Sequence, residues 1–316
     1  MHGIGRFASE LYARIPNFSA IELLGSPSRA IEPFVLEKYL RKVKPELFFS
    51  PGYNVPLGRP TPFVFCLHDL NHLAADESMS RLKKLYYEYF VRPAISRADA
   101  VITVSEYSRI QICEWAGVGV GKVYNVGNGV SSEFVCEGTA ISMEPYFVHV
   151  GGVREHKNLR RVMCALKTSK QLSGVKLVCV GSKLKFILEI AKKIGIEERV
   201  VCLQRVSDGK LAEIYRGAVA LVFASLREGF GLPIVEAMAC GCPVITSSFG
   251  AMKEVAGSAS LFVNPESVED IREKMEVISS DSSLRVVLKK CGKERSANFT
   301  WEKTAERVKN VILISR

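Results

Sequence analysis

Short apolar runs alternate with amphipathic stretches along most of the chain. In the second half, Tyr146–Val150, Val175–Val180, Val200–Leu203, Ala218–Ala224, Pro243–Ser247 and Ala259–Val263 are short hydrophobic segments rich in Val and Leu. Runs of this kind predict strands buried on both faces of a parallel sheet. Between them, Leu159–Gln171, Leu184–Ile194 and Asp208–Gly217 repeat apolar residues at helical spacing. The alternation predicts a doubly wound α/β sheet. The first half repeats the theme, with strands at Leu47–Ser50, Pro62–Leu67 and Ala100–Val104. Helices are predicted around Glu32–Val43, Arg81–Ser96 and Glu106–Gly117. After Asp281 the pattern is helical almost to the end, broken near Asn298-Phe299-Thr300. A sheet of this type ordinarily opens with a strand and then a glycine loop. Here Gly3-Ile4-Gly5-Arg6 stands first and the helical pattern Phe7–Ile15 follows at once. The first strand is therefore expected to be absent, through truncation or a sheet one strand short. The expected division is residues 1–140, residues 141–298, and a final helix at 299–316 that crosses back to the first domain.

Composition narrows the class. The chain has 316 residues, enough for two domains of ordinary α/β size, and 47% are hydrophobic, as in a globular enzyme. No apolar run approaches the roughly 18–20 residues of a membrane span, and the start lacks a basic-then-apolar signal. These features predict a cytoplasmic protein. Nine cysteines form no Cys-x-x-Cys pair and no zinc spacing with histidine, so reduced, mostly buried thiols are expected. The formal net charge of +10 is unevenly placed: residues 1–145 carry 15 basic and 15 acidic side chains, residues 146–316 carry 28 and 18. An excess confined to one half suits an anionic ligand there, or an anionic membrane surface. Motifs of nucleic-acid binding are missing, as is a dehydrogenase glycine fingerprint following a strand.

The most informative string is Ser225-Leu-Arg-Glu228-Gly-Phe230-Gly231-Leu232-Pro233-Ile-Val-Glu236-Ala-Met-Ala-Cys-Gly-Cys-Pro243. A strand ends at Ala224, so the residues after it reach the crevice beyond its carboxyl end. Gly229 and Gly231 permit close backbone approach or positive φ. Pro233 suits the first position of a helix, and the free amides there can face an anion. Glu236 is expected in the first turn of that helix, so that it and Glu228 address one cleft. Taken singly, either glutamate is as readily a surface or helix-start residue.

A second segment, Val150-Gly151-Gly152-Val153-Arg154-Glu155-His156-Lys157-Asn158, ends a strand in glycines and leads through a basic loop into a helix. A lysine there can neutralise a diphosphate as a compact charge. In the first half, His68-Asp69 follows a buried strand, where a histidine serves acid–base chemistry, a metal, or core polarity alone. Ser105 reads equally as a helix N-cap. Arg81–Arg92 mixes basic and aromatic residues at helical spacing, suiting either a membrane surface or packing on the sheet.

These strings together resemble the retaining family-4 glycosyltransferases of GT-B fold, with two Rossmann-like domains facing a cleft. The resemblance runs from Gly3 to the Phe299-Thr300-Trp301 region and is most specific over residues 146–250. It implies that Glu236 holds the ribose of a nucleotide, that Glu228 lies beside the donor sugar, and that the backbone of Phe230, Gly231 and Leu232 meets the sugar or distal phosphate. Lys157 matches the family's diphosphate lysine. Gly152 stands where many members carry arginine, leaving Arg154 and His156 as candidates for the second cation. His68 would face the transferred sugar, and Asp69 would orient it or cap a turn. Gly3 and Gly5 would form a loop approaching the diphosphate.

Ser50-Pro-Gly-Tyr53-Asn54 and Tyr215-Arg216-Gly217-Ala218 are similar to mannosyltransferases of bacterial surface-polysaccharide and lipopolysaccharide assembly. The implied activity is metal-independent hexosyl transfer from GDP-mannose, a substrate rather than a cofactor, to a glycan or lipid-linked acceptor, with peripheral contact at the inner membrane face. No Asp-x-Asp occurs in the chain. A nucleotide-sugar epimerase and a silent nucleotide-sugar-binding remnant are the alternatives.

Overall fold

The computed structural model describes residues 3–16, 18–21, 31–71, 73 and 81–315. The chain divides into two compact units, Met1–Gly129 with Thr300–Arg316, and Val130–Phe299.

The first unit is built on four parallel strands in sequential order: β1 (Phe48–Ser50), β2 (Phe63–Cys66), β3 (Ala100–Thr103) and β4 (Val123–Asn125). Register pairs Phe48 with Phe63, Val64 with Ala100 and Val101 with Val123. The sequence pattern places the first three strands and passes over β4, which has only three residues. Among the described residues the first element is helix α1 (Gly3–Arg14), so Gly3 and Gly5 lie inside a helix and not in the expected loop. The reason is burial. Phe7 and Leu11, one turn apart, are fully buried, and the gain from covering that face exceeds the modest cost of two glycines at a helix start.

Helix α2 (Glu32–Val43) follows. Helices α3 (Arg81–Tyr86) and α4 (Arg92–Arg97) are joined by a π turn at Tyr87–Val91. The wide turn brings the neighbours Tyr86 and Tyr87 both inside, while Leu82 (76% exposed) and Tyr89 (71%) stay in solvent. Helix α5 (Glu106–Ala116) starts at Ser105, whose hydroxyl accepts the Ser108 N–H at 3.0 Å.

The second unit is a six-stranded parallel sheet of β5 (Tyr146–Val150), β6 (Lys176–Val180), β7 (Val200–Leu203), β8 (Ala220–Phe223), β9 (Val244–Ser247) and β10 (Leu261–Val263). Their order is β10-β9-β8-β5-β6-β7. The chain thus builds outward from β5 in one direction, then returns to β8 and builds in the other. Strand order reverses between β5 and β8, the place where open α/β sheets bind ligands beyond their carboxyl ends.

Helices α6 (Leu159–Thr168), α7 (Leu184–Ile194), α8 (Asp208–Gly217), α9 (Leu232–Ala239), α10 (Gly250–Ala256), α11 (Val268–Ser280) and α12 (Ser282–Ser296) flank these strands in sequence. A core that includes Phe147, Leu159, Met163, Leu177, Val222, Ile245 and Ile271 packs this sheet against α6 and α11. The last helix, α13 (Trp301–Ile314), belongs to the first unit, where the Trp301 ring lies 6.3 Å from that of Phe7. Among the described residues no helix is long and apolar enough to cross a membrane.

Candidate functional site

The reversal point carries two loops. After β5, Gly151 takes a φ of 151°, and the next loop lies directly against it: a Cβ on Gly181 would sit 2.0 Å from the Gly151 carbonyl oxygen. Only glycine fits there. A short 3-10 turn, Glu155–Lys157, then leads to Asn158, held at φ 59° as the N-cap of α6. Asn158 is buried, and its amide donates to Ala224 O (2.8 Å) and Pro265 O (2.6 Å). Leu226 N–H donates to His156 O at 2.7 Å. Together these bonds fasten the loop after β5 to the end of β8.

The fastening brings Lys157 and Glu228 together, Nζ to Oε1 at 2.7 Å. The ammonium also lies 5.2 Å from the centre of the Phe223 ring, a favourable cation–π position. Both side chains are mostly shielded, 20% and 12% exposed, so the pair is screened less than a surface ion pair. A lysine ammonium has three donors; this pair uses one.

Beyond Glu228, Phe230 is buried with its ring 5.6 Å from Phe299. Gly231 has φ 98° and is the N-cap of α9, whose first residue is Leu232 and second Pro233. Its first turn presents backbone N–H groups without intrahelical acceptors. Glu236 is the fifth residue of α9, one residue deeper than the first-turn position expected from a start at Pro233. It is 5% exposed and accepts the Tyr215 hydroxyl at 3.3 Å. Burial, with Glu236 beside it, drives the Tyr215 hydroxyl pKa far up, so it stays a donor. Arg154 is exposed at the outer side of the loop.

His149 is a residue the sequence did not single out. It lies in β5 at 0% exposure, with Nδ1 donating to Val222 O on β8 at 3.2 Å, across the reversal point. Its Nε2 is buried without a hydrogen-bond partner among the described residues. Burial pushes its pKa down to about 4, nearby Lys157 lowers it further, and the Val222 bond and Glu228 act the other way. No compositional signal marks it, because a strand of Tyr-Phe-Val-His-Val reads as core. Asn158 and Gly181 were equally missed. The usable cue for Asn158 is a left-handed position just before a helix, which asparagine tolerates.

In the first unit, His68 lies two residues past β2. Its Nε2 donates to Pro51 O at 3.1 Å, and its ring stands edge-on to Phe7 at 4.9 Å. Burial lowers its pKa, partly opposed by the Pro51 bond and Asp69. Asp69 caps a turn, accepting the Asn71 N–H at 2.9 Å. The structure thus joins Lys157 to Glu228 directly and sets Glu236 on the adjoining helix, while His68, Gly3 and Gly5 belong to the other unit. Among the described residues no three His, Cys, Asp or Glu side chains gather as a metal site.

Comparison with known proteins bears on this geometry. Residues 135–295 match the family described as Glycosyl transferases group 1, and residues 5–134 match Glycosyltransferase Family 4. The O-antigen chain mannosyltransferase B of Escherichia coli is 24% identical over 306 residues, covering 86% of this chain and 78% of its own. The O-antigen chain mannosyltransferase RfbU of Salmonella typhimurium is 29% identical over 223 residues, 70% of this chain and 61% of its own. The second relative is thus matched over less than two thirds of its length. Among solved structures, sucrose-phosphate synthase of Thermosynechococcus elongatus superposes with a TM-score of 0.76 at 20% identity, over 95% of this chain and 86% of that one.

Proposed function

We proceed from membership, since this chain belongs to the Glycosyl transferases group 1 family and has the GT-B fold, and we propose a specific reaction for it. It is a retaining hexosyltransferase that moves mannose from GDP-mannose to a glycan or lipid-linked acceptor of surface-polysaccharide or lipopolysaccharide assembly. The observation that carries the reading is the shielded Lys157–Glu228 pair at the point of strand reversal. The names of the two mannosyltransferases support the choice of sugar.

In this reading the donor's diphosphate takes the remaining donors of Lys157 and the amides at the start of α9, around Phe230, Gly231 and Leu232. Arg154 supplies a second cation at the loop. As the bond from sugar to diphosphate breaks, charge grows on the leaving oxygen, and fixed donors at that place stabilise it. Glu228 holds the sugar and Glu236 the ribose. His68 acts on the transferred sugar, and the acceptor hydroxyl forms its bond on the face from which the diphosphate departs. No metal ion is required. Exposed Leu82 and Tyr89 beside Arg81 and Lys84 support contact with a membrane bearing the acceptor.

Thermal unfolding with GDP, UDP or ADP and chelator tests the donor assignment. GDP should stabilise most, and Lys157→Ala should remove the shift. A larger shift with UDP or ADP would overturn the base, and no shift with any would overturn the site. Transfer of labelled mannose then separates the glutamates. Glu228→Ala should abolish turnover while sparing GDP affinity, and Glu236→Ala should weaken GDP binding.

A further inference from the structure

At the opposite end of the same sheet lies a cavity of about 460 Å³, roofed by Arg216, Arg285 and Lys289. Its floor is the segment entering β6 and β8, at Val175 and Ala218, so it opens at the amino ends of strands whose carboxyl ends carry the Lys157–Glu228 pair. No Asp or Glu lines it. We propose that this cavity is a second anion site, taking a small phosphate-bearing ligand independently of the donor.

Two of the cations are fixed in place by the backbone. Arg285 Nη1 donates to Ile278 O (2.7 Å) and Ser279 O (2.8 Å), carbonyls at the end of α11. That contact offsets the negative end of the helix, which would otherwise repel an anion. Arg216 donates through Nε to Thr139 O (2.7 Å) and through Nη1 to Val135 O (3.1 Å), with the Glu213 carboxylate close to it. Each guanidinium has five N–H donors in a rigid fork, so these anchors leave others unused and already oriented. Lys289 is exposed, and its charge lies near the Cys242 thiol. Ser279 lies at the rim, while the Ser280 hydroxyl donates to Glu276 O (3.0 Å) within its own helix. Anchored guanidinium groups beside an exposed lysine answer to phosphate geometry better than to a neutral ligand. The site also gives a place to part of the +10 charge that residues 146–316 carry and one diphosphate does not balance.

Calorimetric titration of the full chain with inorganic pyrophosphate at low salt tests this. Two sites are expected, one lost in Lys157→Ala and the other weakened at least about tenfold in Lys289→Glu. Lys289 is exposed, so Lys289→Glu should melt as the parent does; Arg285→Gln provides a second reading. A single site that vanishes in Lys157→Ala, or a second site indifferent to both Lys289→Glu and Arg285→Gln, would overturn the proposal. Sedimentation with phosphatidylglycerol vesicles identifies the source. Vesicle binding lost in Lys289→Glu assigns a lipid headgroup, and pyrophosphate binding without vesicle binding assigns a free phosphate compound.

Discussion

Each sheet has a histidine near the carboxyl end of a strand, and the two are held in different ways. His68 stands just beyond β2, partly exposed, with Nε2 on Pro51 O and Phe7 against its ring. His149 stands inside β5, sealed from solvent, with Nδ1 on Val222 O. Burial lowers the pKa of both. The neighbours differ. At His68 the Pro51 bond and Asp69 both favour the charged form, with no cation against them, whereas at His149 Lys157 works against the Val222 bond and Glu228. His68 lies two residues beyond the end of its strand, and His149 one residue before the end of its own, where it bonds across to β8.

The largest expected effect is on turnover. His68→Ala should lower kcat about 10²-fold, the scale of a misplaced reacting group, with little change in melting temperature. His149→Leu should keep most of the turnover. Equal losses in steady-state transfer assays would erase the distinction.

The second effect concerns pH. The unfolded chain protonates His149 near its ordinary 6.5, the folded chain only near 4. Between those values the unfolded state binds more protons, so stability falls as pH drops from about 6.5 to about 4, by up to about 3 kcal/mol. Urea unfolding at pH 7 and pH 4.5 should show a smaller drop for His149→Leu than for the parent. An unchanged drop would mean that His149 is not the group responsible.

The smallest effect tests the neighbouring carboxylate. Tyr215→Phe removes one 3.3 Å hydrogen bond to Glu236 and should weaken GDP binding about three- to tenfold. Turnover at saturating donor should stay near that of the parent, and an equal loss in kcat would give Tyr215 a role in the transition state.

Much of the second unit was legible because its strands are buried on both faces. Tyr146–Val150, Val200–Leu203, Leu184–Ile194 and Asp208–Gly217 occur with the bounds that the hydrophobic pattern predicts. Gly3-Ile4-Gly5 misled because a glycine pair is a local cue, and the face formed by Phe7 and Leu11 outweighs it. Helices α10 and α11 escaped notice, the first being only seven residues long. The depth of Glu236 depended on where α9 begins, and the left-handed Gly231 N-cap sets that at Leu232, one residue before Pro233. The Lys157–Glu228 contact joins residues 71 positions apart. It depends on Asn158 and Gly181, which hold loops rather than supply chemistry, and no spacing rule announces them.

The first unit takes Met1–Gly129 and then Thr300–Arg316, whereas the second is continuous in sequence. On a translating ribosome the Met1–Gly129 segment therefore waits for α13, made after the whole second unit. A Cβ on Gly129 would meet the Trp301 backbone nitrogen at 2.3 Å, and Arg307 reaches Val126 O, so α13 is part of that unit's core. At about 5–20 residues per second, the intervening stretch takes roughly ten to thirty seconds to make. The Val130–Phe299 unit can close during that interval while the Phe7 face is still uncovered. Nascent-chain aggregation and chaperone capture should accordingly centre on the amino-terminal segment, and release of Trp301 from the exit tunnel is the event that ends them.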